Sequence, residues 1–341
     1  MVVLYLLLIF AGAGIAYQAL SSRYDTRRFQ APGNLINVGK CRLHLNDQGA
    51  GTPAVVLESG IAASSLSWAL VQPRIAEFTR VCSYDRAGLA WSERGVGPRT
   101  LHQLVYELDT LLSKASLPSP YILVGHSFGA IVIRAYANLH TDKVAGLVLV
   151  DPVSLRFWAN CARGERKRLE LAARLSRRGA LLARLGIVRA ALAVLAAGGK
   201  RFPKIVAQTT ARQGAVVLQR LVGEVQKLPQ ELWPIVRSHW SRPRSFRAMA
   251  DYLECLPESA RTAISMQVPP NVPLIVLSAS TATRDELEER QSWVAHSENG
   301  LHIRAEEGGH WLQLEQPGMI VGAIREAVER TRKQKSTGGH P

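Results

Sequence analysis

Five residues, Gly125-His126-Ser127-Phe128-Gly129, constrain this chain more than any other feature, because of what stands on either side of them. Ahead of them, Tyr121-Ile122-Leu123-Val124 is a short apolar run rich in β-formers and reads as a buried strand. Behind them, Ala130-Ile131-Val132-Ile133-Arg134-Ala135-Tyr136-Ala137 reads as a helix packed on that strand. Gly-x-Ser-x-Gly between strand and helix makes a turn so tight that side chains two before and two after the serine would collide with their neighbours. Glycine at 125 and 129 removes the collision and lifts the Ser127 hydroxyl above the sheet. At ordinary glycine and serine usage the bare pattern arises by chance about 0.1 times in a chain this long. The flanking strand and helix turn it into an expectation that Ser127 is a catalytic nucleophile.

The same strand–helix rhythm recurs along the chain. Apolar runs at Ala54–Leu57, Val81–Tyr84, Leu147–Val150, Leu274–Leu277 and near Leu301–Ala305 alternate with helical patterns near Leu66–Ala76, Leu101–Ala115, Glu286–Val294 and Met319–Arg332. That alternation predicts a parallel sheet built from βαβ units, preceded by a hairpin of Asn34–Val38 and Cys41–Asn46 turning at Gly39-Lys40. Between Pro152 and about Val268 the rhythm breaks. This stretch reads as helical, with interruptions at Gly198-Gly199, Pro203, Pro229, Pro234 and Pro243. Inserted after the sixth strand, it is expected to form a cap over the strand ends, where open α/β sheets bind ligands. Within it, Leu181–Leu195 is nearly all Leu, Ala, Val and Ile. We favour reading that segment as the buried helix of the cap, over an apolar lid facing acyl chains or a bilayer.

Met1 to Leu20 contains no charged side chain, and as a helix it would reach about 30 Å, the thickness of a hydrocarbon core. No basic segment precedes the apolar run, which favours an uncleaved single-pass anchor over a signal peptide despite Ala16-Tyr17-Gln18-Ala19. Arg23, Arg27 and Arg28 follow the span and favour a cytoplasmic catalytic domain. The formal net charge is +15, and Arg156 to Lys204 holds 13 Arg and Lys against Glu165 and Glu170, or +11 of it. A solvated basic face and proximity to an anionic membrane both fit this stretch; without aromatic platforms or a nucleic-acid motif, nucleic acid is not expected as a partner. Four cysteines without Cys-x-x-Cys spacing imply neither a metal site nor a disulfide framework. With no Walker loop, dinucleotide fingerprint or ligand cluster, no cofactor is implied.

Four motifs in order resemble the α/β-hydrolase fold superfamily over about Asn34 to Thr331. They are Leu57-Glu58-Ser59-Gly60-Ile61 after the third strand, Tyr84-Asp85-Arg86-Ala87-Gly88-Leu89-Ala90-Trp91-Ser92 after the fourth, the serine turn, and Gly308-Gly309-His310-Trp311 with Glu315-Gln316-Pro317 before the last helix. The resemblance implies a mostly parallel eight-stranded sheet with helices on both faces, a helical cap inserted after strand six, and here an N-terminal transmembrane helix. The expected division is an anchor at 1–22, a tether at 23–33, core at 34–152 and 268–333, a cap at 153–267 and a polar tail at 334–341.

By the same resemblance His310 is the base that takes the proton of Ser127. His126 is expected to be a spacer pointing away from the site. Two acids fit the order Ser…Asp…His. Asp151 ends the sixth strand, and Asp285 lies in the loop after the seventh, where the family's acid usually stands. We favour Asp151, because Asp285 opens a run of acids suited to a helix N-terminus. The backbone N–H groups of Ile61 and Phe128 are the implied oxyanion donors, and Asp85, Arg86 and Ser92 are read as structural brackets. The expected activity is cleavage of a hydrophobic carboxylic ester through an acyl-enzyme. Haloperoxidation without a cofactor, carbon–carbon hydrolysis, acyl transfer or an inactive binding protein stand as alternatives. Epoxide and haloalkane hydrolysis are disfavoured, since those branches carry aspartate where Ser127 stands.

Overall fold

The computed structural model describes residues 1–196 and 227–337. Gly198-Gly199, Pro203, the end of the basic stretch and the tail from residue 338 lie outside the described residues. Eight strands, β1 (Asn34–Asn37), β2 (Arg42–Gln48), β3 (Val55–Glu58), β4 (Val81–Tyr84), β5 (Tyr121–His126), β6 (Val144–Val150), β7 (Leu274–Ser278) and β8 (Gly300–Arg304), form one sheet in the order β1-β2-β4-β3-β5-β6-β7-β8. The pairs β1–β2 and β2–β4 are antiparallel and the rest parallel, so each expected strand is present in the expected kind of sheet.

Alternation along the central strands makes two cores. Ile122, Val124, Val148 and Val150 face Ile320, Ile324 and Val328 of the C-terminal helix Pro317–Thr337. Leu123, Leu147 and Leu149 face the opposite layer, with Leu104, Leu108 and Leu111 of the helix Leu101–Lys114 and Ile131 and Ala135 of the helix Phe128–Leu139. Burial on both faces explains why these strands read as continuous apolar runs.

Between β6 and β7 the described residues form only helices: Leu155–Ala159, Arg163–Arg184, Ile187–Ala196, Trp233–Trp240 and Pro243–Ser265, with a short 3-10 turn at Gln230–Leu232. The helix Pro243–Ser265 sits on the turn after β4. There the Tyr252 hydroxyl donates to Ala87 O at 3.0 Å, and a Cβ on Gly88 (φ +86°) would lie 2.7 Å from Ala248 Cβ. The helix Arg163–Arg184 packs on it through small residues, Ala173, Ser176, Ala180 and Ala183, and Gly179 lies against the Phe246 ring. Small residues at the contact turn the larger ones outward. Leu181 and Leu182 are therefore exposed; Ile187 and Val194 of the next helix are exposed as well, which corrects the reading of Leu181–Leu195 as a buried helix.

The N-terminal helix runs Val2–Arg28 and is long and apolar enough to cross a membrane by length and composition. It continues through Arg23, Arg27 and Arg28, past the point where a tether is expected. Two basic residues in its last turn suit the negative end of the helix dipole.

Candidate active site

β5 ends at His126 and the next helix starts at Phe128, so Ser127 alone makes the turn, at φ 55° and ψ −117°. A non-glycine residue is strained there. The Ser127 N–H, bonded to Val150 O at 3.0 Å, helps hold it. A Cβ at position 125 would come 2.7 Å from Ala130 N, and one at 129 would come 2.6 Å from Glu58 O. Both glycines are thus required by backbone packed against them.

The Ser127 hydroxyl lies 2.8 Å from His310 Nε2 and donates to it. His310 Nδ1–H in turn donates to Asp151 Oδ2 at 2.6 Å; a carboxylate only accepts, which fixes this tautomer. Asp151 follows β6 at φ 39°, with its N–H on Leu277 O. Its second oxygen accepts from Ala279 N–H at 3.0 Å and from the Arg290 guanidinium at 2.8 Å. Burial alone would raise the Asp151 carboxyl; the His310, Arg290 and Ala279 donors outweigh it and hold the group below its ordinary value. Arg290 is itself buried and also donates to Ser278 Oγ and Pro152 O, while His302 of β8 bonds the same Ser278 hydroxyl. Asp285 is solvent-exposed in the first turn of the helix Arg284–His296, behind a Thr283–Glu286 capping box. The structure thus brings Ser127, His310 and Asp151 into one hydrogen-bonded line and leaves Asp285 at a helix N-terminus.

Phe128 is the first residue of its helix, whose leading N–H groups have no partner within the helix. Gly60 borders Ser127: a Cβ there would lie 3.5 Å from Ser127 Cβ, which puts Gly60 beside the Ser127 side chain. Arg86 holds the Gly60-Ile61 loop. Its guanidinium donates to Ser59 O at 2.7 Å and to Gly60 O, and pairs with the buried Glu58 carboxylate, which also accepts from the Tyr84 hydroxyl. The same guanidinium stacks over Phe128 and Tyr252, 5.4 and 5.1 Å from their ring centres. Burial pushes the Glu58 carboxyl up to about 7 against the pull of Arg86. Asp85 accepts from Ser65 N–H and from His44, and Ser92 Oγ donates to Asp85 O, so these two brace the turn after β4.

His126 does not point away from the site. Its Nε2 donates to His310 O at 2.7 Å and its ring lies 4.8 Å from the His310 ring. Burial, with His310 beside it, drives its pKa down to about 3, so it is a neutral prop beneath the His310 loop. From the other side, the Glu315 carboxylate accepts from Gly309 N–H and pairs with Lys227 at 2.6 Å. A cavity of about 80 Å³ opens between Ala62-Ala63 and Trp311, walled by Leu66, Leu89, Val236 and Leu314.

The alpha/beta hydrolase fold family model matches residues 53–317. Among curated proteins, the chain is similar to the uncharacterised protein YqjL of Bacillus subtilis, 34% identical over 113 residues, which are 33% of this chain and 45% of that protein. It is also similar to 2-hydroxymuconate semialdehyde hydrolase of Pseudomonas sp. (strain CF600), 29% identical over 136 residues, 37% of this chain and 48% of that one. The chain thus spans less than half the length of these curated relatives. Among solved structures, an esterase from Thermogutta terrifontis superposes with a TM-score of 0.57 at 21% identity, covering 85% of this chain and 94% of that one. The epoxide hydrolase CorEH superposes with a TM-score of 0.62 at 18% identity, covering 86% and 96%. At such identities the superpositions establish the fold.

Proposed function

The chain belongs to the α/β-hydrolase fold family, and we propose that it is a membrane-associated serine hydrolase cleaving a hydrophobic carboxylic ester through an acyl-enzyme on Ser127. The observation that carries this reading is the unbroken line from Ser127 Oγ through His310 to Asp151, at 2.8 and 2.6 Å, starting from a strained turn. His310 takes the hydroxyl proton as Ser127 Oγ bonds to the ester carbonyl carbon, and the ionised Asp151 stabilises the imidazolium. The carbonyl oxygen becomes an oxyanion beside the N–H groups of Phe128 and Ile61. Collapse expels the alcohol, which receives the proton from His310. Water, deprotonated by the same histidine, then releases the acid and restores Ser127.

A serine at position 127 favours ester cleavage over epoxide opening, which in this fold uses aspartate there. The apolar cavity beside Trp311 and the N-terminal helix favour a hydrophobic substrate. Carbon–carbon hydrolysis is a second reading, favoured by the similarity to 2-hydroxymuconate semialdehyde hydrolase. Purified protein offered p-nitrophenyl esters of increasing chain length and a ring-fission dienoate separates the two. Ester turnover lost in Ser127→Ala supports the first; turnover of the dienoate alone supports the second and sinks the first.

A further inference from the structure

The N-terminal helix is bolted to the cap over half its length. At Gly14 it crosses the cap backbone where the helices Arg163–Arg184 and Ile187–Ala196 meet. No side chain fits at position 14 against the Leu185 carbonyl, and a Cβ on Gly186 (φ +75°) would lie 2.9 Å from Gly14 O. Beyond the crossing the contact becomes polar and buried. Gln18 Nε2 donates to Ser241 O at 2.9 Å, and Arg189 donates to Gln18 Oε1 at 2.9 Å and to Asp25 Oδ2 at 2.6 Å. Arg242 adds a bond to Thr26 Oγ1 at 3.2 Å.

This docking limits how far the helix can reach into a bilayer. From Gly14 onward one face of the helix is held by the cap, leaving Val2 to Ala13 clear of it, which at 1.5 Å per residue is about 18 Å. A hydrocarbon core is about 30 Å thick. With the cap resting on the surface, the helix would end inside the membrane. Sinking the cap at the crossing lengthens the immersed part, and the residues there suit immersion: Leu181 is 60% exposed, Leu182 43% and Ile187 50%. On the helix Arg163–Arg184 these leucines share a face with Arg174 and Arg178, which lie three to eight residues earlier, and Arg184 follows; all three arginines are exposed. Long basic side chains beside an apolar tip reach back to headgroup level, and their charge selects anionic lipid.

We infer that the cap tip, Leu181–Ile187, is seated in the hydrocarbon of an anionic bilayer beside the N-terminal helix, so that the enzyme lies sunk in one leaflet. This rests on the reading of that helix as the membrane segment. It differs from a single-pass tether, which would leave the cap in water. The exposed residues Val2–Phe10 and the exposed apolar residues of the cap tip lie on the two segments that meet where Gly14 touches Leu185, and the occupant of both is lipid.

The test uses the full chain with Cys255→Ser, the other cysteines being buried. An environment-sensitive nitrobenzoxadiazole label is placed at Leu8→Cys, Leu182→Cys or, as a control on the exposed helix face at the C-terminus, Glu326→Cys. Each protein is mixed with phosphatidylcholine vesicles, with or without phosphatidylserine, carrying acyl-chain nitroxides. Blue-shifted, quenched emission at positions 8 and 182 but not 326, stronger with phosphatidylserine, is the expected result. Quenching at 8 with a solvent-like label at 182 overturns the seated cap and leaves the anchor reading intact. A solvent-like label at both positions overturns both. A Leu181→Asp, Leu182→Asp double variant should weaken partitioning at least about tenfold, from the apolar area withheld from lipid. Unchanged partitioning by that variant, with its circular dichroism intact, would also overturn the seated cap.

Discussion

Replacing Asp151 by asparagine preserves the side chain's shape and removes its charge, and the groups around it decide the outcome. One oxygen of Asp151 faces two donors, Arg290 and Ala279 N–H, and the other faces His310 Nδ1. Asparagine has one acceptor to offer. Turned toward Arg290 and Ala279, it presents its NH2 to His310 and forces the proton onto Nε2, where the imidazole can no longer accept from Ser127. The opposite rotamer would set NH2 against two buried donors. The first is therefore favoured, and kcat/KM should fall about 10³- to 10⁴-fold, or roughly 4–5.5 kcal/mol of barrier. Arg290 meanwhile keeps Pro152 O and Ser278 Oγ but loses its counter-charge, so stability should drop by about 3 kcal/mol, the lower end for a broken buried pair. The pH dependence supplies a second signature. Asp151 is held below its ordinary value, so its contribution to stability is present above about 3.8 and is lost as pH falls through the depressed value. The asparagine variant should lack that part of the acid transition. Ester hydrolysis measured beside thermal melts at several pH values tests all three effects. A folded Asp151→Asn enzyme keeping more than about a tenth of wild-type kcat/KM would refute the assignment.

Other consequences can be checked alongside. Asp285→Asn should change kcat/KM less than about twofold, as for an exposed surface group; a large loss would move the acid role to that position. Gly129→Ala must push against Glu58 O and Ser59 O at 2.6 and 2.7 Å and should cost about 1–3 kcal/mol or more in a melt, with activity falling alongside. Arg86→Lys keeps the charge but cannot span Glu58, Ser59 O and Gly60 O together. It should lower kcat about 10- to 100-fold with little change in KM, and an unchanged kcat would detach this clamp from the oxyanion loop. His44 donates to Asp85 and to Pro32 O; burial opposes its charge, but these two acceptors outweigh burial and raise its pKa. Its stabilisation is full below about 6.5 and lost as pH rises through the raised value, so His44→Gln should destabilise more near about pH 6 than near about pH 9 in paired melts.

The strands and the serine turn are legible in the sequence because their causes are local. A strand buried on both faces is apolar along most of its length, and a turn as tight as that at Ser127 admits only glycine at 125 and 129. Asp151 is legible as a strand-end aspartate, but choosing it over Asp285 depends on where β7 and the next helix lie. Ala279 N–H and Arg290 come from more than a hundred residues away. Arg290 itself leaves no mark, being one more charge on a helix full of charges. Sequence misplaces His126 because alternation along β5 says nothing of a loop that returns over it at residue 310. The docking of Gln18 and Asp25 on the cap is hidden in the same way, since their partners Ser241 and Arg189 are distant in sequence.

The central claim is that the turn at residue 127 carries an activated serine. Incubating purified protein with a fluorophosphonate and weighing the intact chain tests it most directly, with Ser127→Ala and His310→Ala beside it. One covalent adduct on the wild type, absent from Ser127→Ala and strongly slowed in His310→Ala, is the predicted result. A folded wild-type protein that gains no mass, or labelling that persists in Ser127→Ala, would contradict it.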